Sequence, residues 1–374
     1  MRRLLTLMYR SAWGMMCIFP ICRKKIVFQN FAGLGYGDNP KYIAEKLKTE
    51  NLKLYWAVND MSDNSLPDGI KKLKYKSLRY LYHTATAKVL VDNIRKPFII
   101  KRKGQFYMQT WHGGLCIKKI EKAVLKSLDL SYVKSAIKDA KATDVMLSDS
   151  AVTTKNIRDN FWYGNGEIIE KGLPRNDCLV NFNPSKALSV REKYNIPEDV
   201  KLLLYAPTFR KNLDTDNYNL DYSACIKALE KRFGGKWKIL LRLHPNVNKK
   251  NISCCEYLIP ANNIADITEL YLISDALITD YSSSIFDFSL LRRPSFIYAN
   301  DLESYSKERG FFFNLNTLPF QISETNESLC QNILEFDEKI YLKNLEDFIK
   351  TTQRNETGNA SDYAACRIME KLTN

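Results

Sequence analysis

Short apolar runs recur along this chain, each ending in polar residues and followed by a stretch of helical periodicity. Lys24–Phe31 reads KKIVFQNF, a buried-strand pattern, followed by the loop AGLGYGDNP and an amphipathic helix from about Pro40, KYIAEKLKTE. LKLYWAVND, AKVLVDN, QFYMQTWHG, DVMLSDS and GEIIEKGLPRND continue the series. A second series follows NFNPSKALSVREKYNIPEDV, with strand-like runs in KLLLYAPTFR, WKILLRLHP, DALITDYSSS and RPSFIYAN. Strands separated by helices, with polar residues at the strand ends, predict an α/β fold with parallel sheets. The Asn183–Pro197 region divides the two series. The chain is therefore read as a segment 1–23, a domain 24–185 and a domain 186–374, the two domains doubly wound and in tandem. In such sheets ligands bind outside the carboxyl ends of the strands, which is where the polar punctuation falls.

The first 23 residues stand apart. Ser11–Cys22 (SAWGMMCIFPIC) is uncharged and flanked by Arg2, Arg3 and Arg10 on one side and Arg23, Lys24 and Lys25 on the other. Twelve helical residues span about 18 Å against a hydrocarbon core of roughly 30 Å, too short to cross. No small-residue cleavage site follows, as a signal peptide would require. A basic, aromatic-bearing apolar segment of this length fits a helix lying in the membrane interface, and also a plain buried first helix.

Charge adds to this. The formal net charge is +14 over 374 residues. Met1–Lys25 holds six basic residues and no acid, and Lys101–Lys141 holds ten basic and three acidic ones, so these two stretches carry nearly all of the excess. One or two basic faces are expected, suited to anionic lipid, a polyphosphate acceptor or nucleic acid, or merely solvated. The nine cysteines contain no CxxC pair and read as reduced thiols of a cytoplasmic protein, with neither a disulfide framework nor a zinc site.

Candidate chemistry sits at strand ends. Of three histidines, His112 (MQTWHGG) and His244 (LLRLHPN) each follow a strand directly, whereas His83 lies in the apolar YLYHTATA and reads as packing. Histidine suits proton transfer near neutral pH, though a single strand-end histidine is more often structural. Gly113 and Gly114 would allow positive φ and a close approach of ligand to bare backbone. Thr208, Arg210 and Lys211 follow the strand of LYAPTFRKN, and Arg242 stands beside His244; arginine matches phosphate oxygens with planar donors, yet each could be a surface charge. DYSSS (Asp280–Ser284) opens a helix, where small hydroxyls either cap or help to hold an anion, two uses that are compatible. AGLGYGDN lacks the GxGxxG spacing of a dinucleotide site, there is no P-loop, and Asp214–Asp216 reads as a solvated loop. No His/Cys/carboxylate cluster has metal spacing. No cofactor or metal is expected.

WHGG, YAPTFR, LRLHP and ITDYSSSIFDF…RRPSFIY…DLESY…RGFFF, in that order, closely resemble the CDP-glycerol glycerophosphotransferases of teichoic acid and capsule synthesis. KKIVFQNFAGLGYGDNPKYIAEKL resembles the family's first strand, loop and helix, so the likeness spans roughly residues 24–345. The resemblance implies a GT-B fold, two facing Rossmann-like domains with an interdomain cleft and a C-terminal nucleotide site. It implies no dissociable metal and attachment to the cytoplasmic face of the membrane. Residue by residue it implies catalytic roles for His112 and His244, with Gly113 and Gly114 on the acceptor side. It implies donor pyrophosphate contacts for Arg210, Ser282 and Ser283, with Thr208, Arg242 and Asp280 at the same sheet edge. Where the family often has threonine and proline after its histidine-glycine, this chain has Gly114 and Leu115; where it often has tryptophan before the arginine, Phe209 stands here.

The expected reaction is attack by the hydroxyl of a membrane-bound teichoic-acid-like or capsular acceptor on a CDP-alditol, with release of CMP. His112 is the expected general base, and the anionic membrane surface the expected partner of the basic stretches. A GT-B glycosyltransferase using a nucleotide sugar is the rival in the same fold. A non-enzymatic nucleic-acid- or membrane-binding protein is the rival from another class. Against nucleic acid, the basic stretches show no recognisable nucleic-acid-binding fold, and the strand-end histidines would be idle.

Overall fold

The computed structural model describes residues 2–96, 101–208, 219–243, 256–262 and 264–373. It separates into two units, one of Met1–Gly114, Ile120–Asp177 and Asn355–Asn374, the other of Leu115–Lys119 and Cys178–Arg354.

The first unit is built on a seven-stranded parallel sheet: β1 (Cys22–Gln29), β2 (Lys53–Val58), β3 (Ile70–Lys74), β4 (Ala87–Asp92), β5 (Phe106–Gln109), β6 (Val145–Ser148) and β7 (Glu167–Glu170). The order is β3-β2-β1-β4-β5-β6-β7, so the winding reverses between β1 and β4. Alternate side chains of β1 serve opposite faces, and both faces are covered, which is why the strand reads as a continuous apolar run. Ile26 and Phe28 join Trp56, Val89 and Val91 in a core closed by helix Asp38–Leu47 and helix Ala360–Thr373. Val27 joins Tyr55, Leu90 and Tyr107 on the other face, closed by helix Leu78–Thr86.

The N-terminal helix, Arg2–Met16, packs Tyr9, Ala12, Trp13 and Met16 onto that second face. The spacing is that of one helical stripe. Met8 and Met15 point outward, and Ile18 and Phe19 just beyond the helix are exposed as well. The packed stripe matches the plain buried helix that the sequence left open as an alternative. Among the described residues no helix is long and apolar enough to cross a membrane.

The second unit carries a six-stranded parallel sheet of β8 (Val200–Tyr205), β9 (Lys236–Leu241), β10 (Leu258–Pro260), β11 (Ala276–Thr279), β12 (Ser295–Tyr298) and β13 (Gln321–Ser323), ordered β10-β9-β8-β11-β12-β13. Its winding reverses between β8 and β11. Both orders are those of doubly wound α/β sheets.

The units do not follow the linear division expected from the sequence. The first ends at Asp177 instead of near 185, and Asn355–Asn374 returns to it instead of completing the second. The return has a physical cause. Ala364, Ile368 and Leu372 form an apolar stripe that joins the first core. The Asp177 carboxylate accepts the free backbone N–H groups of Ala360 and Ser361 at the start of that helix, both at 2.8 Å.

Candidate active site

In the first unit the chemistry gathers where the winding reverses. Asn30 follows β1 and Asn93 follows β4, and the Asn93 amide donates to the Asn30 side-chain oxygen at 2.7 Å. The Asn93 side-chain oxygen in turn accepts from the Phe31 N–H at 2.9 Å. Both asparagines are fully buried, so this clasp fixes the two strand ends rigidly. The turn after β4 is shaped by Asp92, whose carboxylate accepts from the N–H groups of Asn93 and Ile94. Burial pushes that carboxyl up to about 6, with Lys96 Nζ opposing the shift from 3.2 Å.

His112 is half-buried, and its Nδ1 lies 2.8 Å from the Asn93 carbonyl oxygen. A carbonyl only accepts, so Nδ1 carries a proton, and whenever the ring is neutral its lone pair is at Nε2. The ring makes tilted contacts with Trp111, 4.4 Å between centroids, and with Phe31 at 5.3 Å. Trp111 is itself backed by the Arg95 guanidinium, which is buried and paired with Glu121 at 2.9 Å and Asp139 at 3.0 Å.

The glycines of WHGG do not take the positive φ that was expected of them. Neither Gly113 nor Gly114 adopts a positive φ; the left-handed residue is Trp111, at φ 54°. Gly114 is required for a different reason. A Cβ there would lie 2.0 Å from the Asp149 carboxylate, so bare backbone is needed against a neighbouring side chain of the protein itself.

In the second unit the corresponding reversal is clasped by Thr208, after β8, and Asp280, after β11. The Thr208 N–H donates to both carboxylate oxygens at 3.0 Å and its hydroxyl donates at 2.8 Å. Ser282 Oγ accepts from the Ser284 N–H at 3.2 Å and donates to Ser284 Oγ at 2.9 Å. Ser283 precedes helix Ser284–Phe288 without a side-chain cap bond. Thus Ser282, not Ser283, makes the local bond expected of a cap. Tyr281, between Asp280 and the serines, stacks on Tyr305 at 3.9 Å and donates its hydroxyl to Asp301.

Arg242 has a structural use at this edge. Its Nη1 donates to the carbonyls of Ala261, at 2.9 Å, and Ile264, which ties the segment after β10 to the end of β9. Burial lowers its pKa from the usual arginine range. His244, Arg210, Lys211 and the Asp214–Asp216 loop lie outside the described residues. His83 is a packing residue: its ring stacks on Tyr55 at 3.9 Å, and burial pushes its pKa down to about 4.

The model of the CDP-glycerol:poly(glycerophosphate) glycerophosphotransferases matches residues 8–370. The chain belongs to this family. Among curated members it is 33% identical over 358 residues to a teichoic acid poly(glycerol phosphate) polymerase of Staphylococcus epidermidis, covering 91% of this chain and 50% of that one. It is 32% identical to the polymerase of the same description from Bacillus spizizenii, covering 99% of this chain and 97% of that one. The chain spans about half the length of the Staphylococcus epidermidis and Bacillus subtilis members. A structure of the wall teichoic acid polymerase TagF soaked with CDPG is similar over 98% of this chain and 93% of that one, at 29% identity and a TM-score of 0.86.

Sequence reasoning missed Asn93, whose carbonyl meets His112, Asn30, which clasps Asn93, and Asn39 and Arg175, which are linked to the Trp111 carbonyl. Asparagines in loops read as turn formers. The one signal was the position of Asn30 and Asn93 at strand ends.

Proposed function

We propose that the protein transfers a glycerol phosphate unit from CDP-glycerol to the hydroxyl of a membrane-associated teichoic-acid-type or capsular acceptor, releasing CMP. The acceptor oxygen forms a bond to the phosphorus bearing glycerol, the bond from that phosphorus to the CMP oxygen breaks, and the hydroxyl proton passes to His112 Nε2. The observation that carries the reading is the 2.8 Å contact from His112 Nδ1 to the Asn93 carbonyl, which sets the neutral ring in the tautomer a base requires. Membership of the family and the likeness to a polymerase soaked with CDPG support the choice of donor.

Phosphoryl transfer asks the protein mainly for alignment and charge stabilisation. In this reading Ser282, Ser283, Thr208 and Arg210 hold the donor pyrophosphate, His244 steadies the departing CMP, and Gly113 and Gly114 border the acceptor. Asp280 and Arg242 act by holding the strand ends on which those groups stand. The GT-B arrangement with an interdomain cleft, which the family resemblance implies, is part of the same proposal. So is peripheral attachment to the cytoplasmic membrane face, through the outward Met8, Met15, Ile18 and Phe19 beside the basic N-terminal residues.

The test is CMP release from CDP-glycerol, CDP-ribitol and a panel of UDP-sugars with membrane-extracted acceptor. Release from CDP-glycerol, falling about 10²–10⁴-fold in His112→Ala, is expected. Release from a UDP-sugar alone would replace this reading with a glycosyltransferase. Near-normal turnover in folded His112→Ala would remove the base assignment.

A further inference from the structure

Asn39 is a buried asparagine far from His112 in sequence, and it joins three segments. Its side-chain amide donates to the Trp111 carbonyl at 3.0 Å, and its side-chain oxygen accepts from the Arg175 N–H at 3.1 Å. Its own N–H donates to Asp38 Oδ1 at 2.6 Å, and Asp38 Oδ2 pairs with Arg175 Nη1 at 2.9 Å in a buried ion pair. GDNP and PRND, which the sequence offered only as loops, therefore form one rigid block that holds Trp111 by its carbonyl.

The carbonyl matters because of the peptide plane. Trp111 C=O and His112 N–H belong to one rigid amide, so fixing the oxygen fixes the plane that carries the His112 Cα. Trp111 is a bulky residue held at φ 54°, a strained conformation that persists only where the surroundings impose it. The Thr110 hydroxyl also donates to this carbonyl, at 2.9 Å, but it moves with the same strand end; Asn39 supplies the outside anchor. The ring of His112 is held separately, at Nδ1, by the Asn93 carbonyl.

We propose that Asn39 is a positioning residue for His112, acting through the carbonyl of Trp111. The proposal rests on the reading of His112 as the base for its kinetic consequence, though not for the positioning itself. The chain has only three histidines, so ¹⁵N-histidine labelling resolves His112 from His83 and His244. In Asn39→Ala the His112 ring signals should shift or broaden while those of His83 hold. With CDP-glycerol as donor, kcat should fall about 10–100-fold, as a displaced catalytic group predicts, with the donor KM within twofold. In the His112→Ala background the same substitution should bring no further loss. Asn39→Asp, which keeps the oxygen that accepts from Arg175 and removes the amide donor, should behave alike and serves if the alanine variant does not fold.

Unmoved His112 signals in the folded variant, wild-type kcat, or a full additive loss on top of His112→Ala would each overturn the proposal. Wild-type turnover in His112→Ala would instead sink the base reading. The NMR comparison would then decide the positioning alone.

Discussion

Thr208 and Asp280 meet across the point where the winding of the second sheet reverses, the threonine giving both its N–H and its hydroxyl to one carboxylate. Asn30 and Asn93 do the same at the reversal of the first sheet. In both units a polar pair holds together the two strand ends at the reversal, the place where doubly wound sheets in general bind ligands.

Removing the second clasp tests whether the donor depends on it. Asp280→Ala strands two donors of Thr208 and should cost roughly 1.5–3 kcal/mol of stability, read from the urea midpoint. The KM for CDP-glycerol should rise about tenfold. Thr208→Val loses only the hydroxyl bond and should fall between wild type and Asp280→Ala in both measurements.

Arg95 supports the wall behind Trp111. Arg95→Met would leave Glu121 and Asp139 buried without their cation, at a cost of about 3–5 kcal/mol. Combining it with Glu121→Gln and Asp139→Asn should recover much of that loss in a chemical denaturation series. A single variant as stable as wild type would mean that the cluster is not the support it resembles.

Gly114→Ala pushes a methyl group into the Asp149 carboxylate. Overpacking of this kind costs typically about 1–3 kcal/mol, so Tm should drop and CMP release should fall with it. An unchanged Tm would show that Asp149 can move aside.

His83 gives the fold a pH dependence. Its folded pKa, about 4, lies below the usual value of about 6.5, because burial disfavours the charged ring. In that window the unfolded chain binds more protons than the folded one, so stability is full above about pH 6.5 and declines as pH falls towards 4. His83→Phe should remove this slope, and the stability difference between variant and wild type should move in favour of the variant as pH drops. Parallel stability curves from pH 7 to pH 4 would contradict it.

His112 beyond a strand end, the serine run and the apolar strands were legible because each is a local pattern. Ile26–Phe28 and Leu202–Leu204 are buried on both faces, and a continuous apolar run is what such strands require. β3, β10 and β13 were not legible. They are edge strands, IKKLK, LIP and QIS, and an edge needs neither length nor a continuous apolar run.

By itself, then, the sequence determined the α/β class, the two series of parallel strands and the strand ends at which His112, Thr208 and Ser282 stand. Burial and backbone pairing impose those patterns on neighbouring residues, so they can be read along the chain. Only the tertiary structure decided that Asn355–Asn374 returns to the first unit, that Arg242 bonds carbonyls, and that Asn39, Trp111 and Arg175 share one block. These depend on contacts between residues distant in the chain, 19 positions apart for Arg242 and Ala261 and 183 for Asp177 and Ala360. Such partners are chosen by how the packed elements bring donors to buried acceptors, which no local run of residues records.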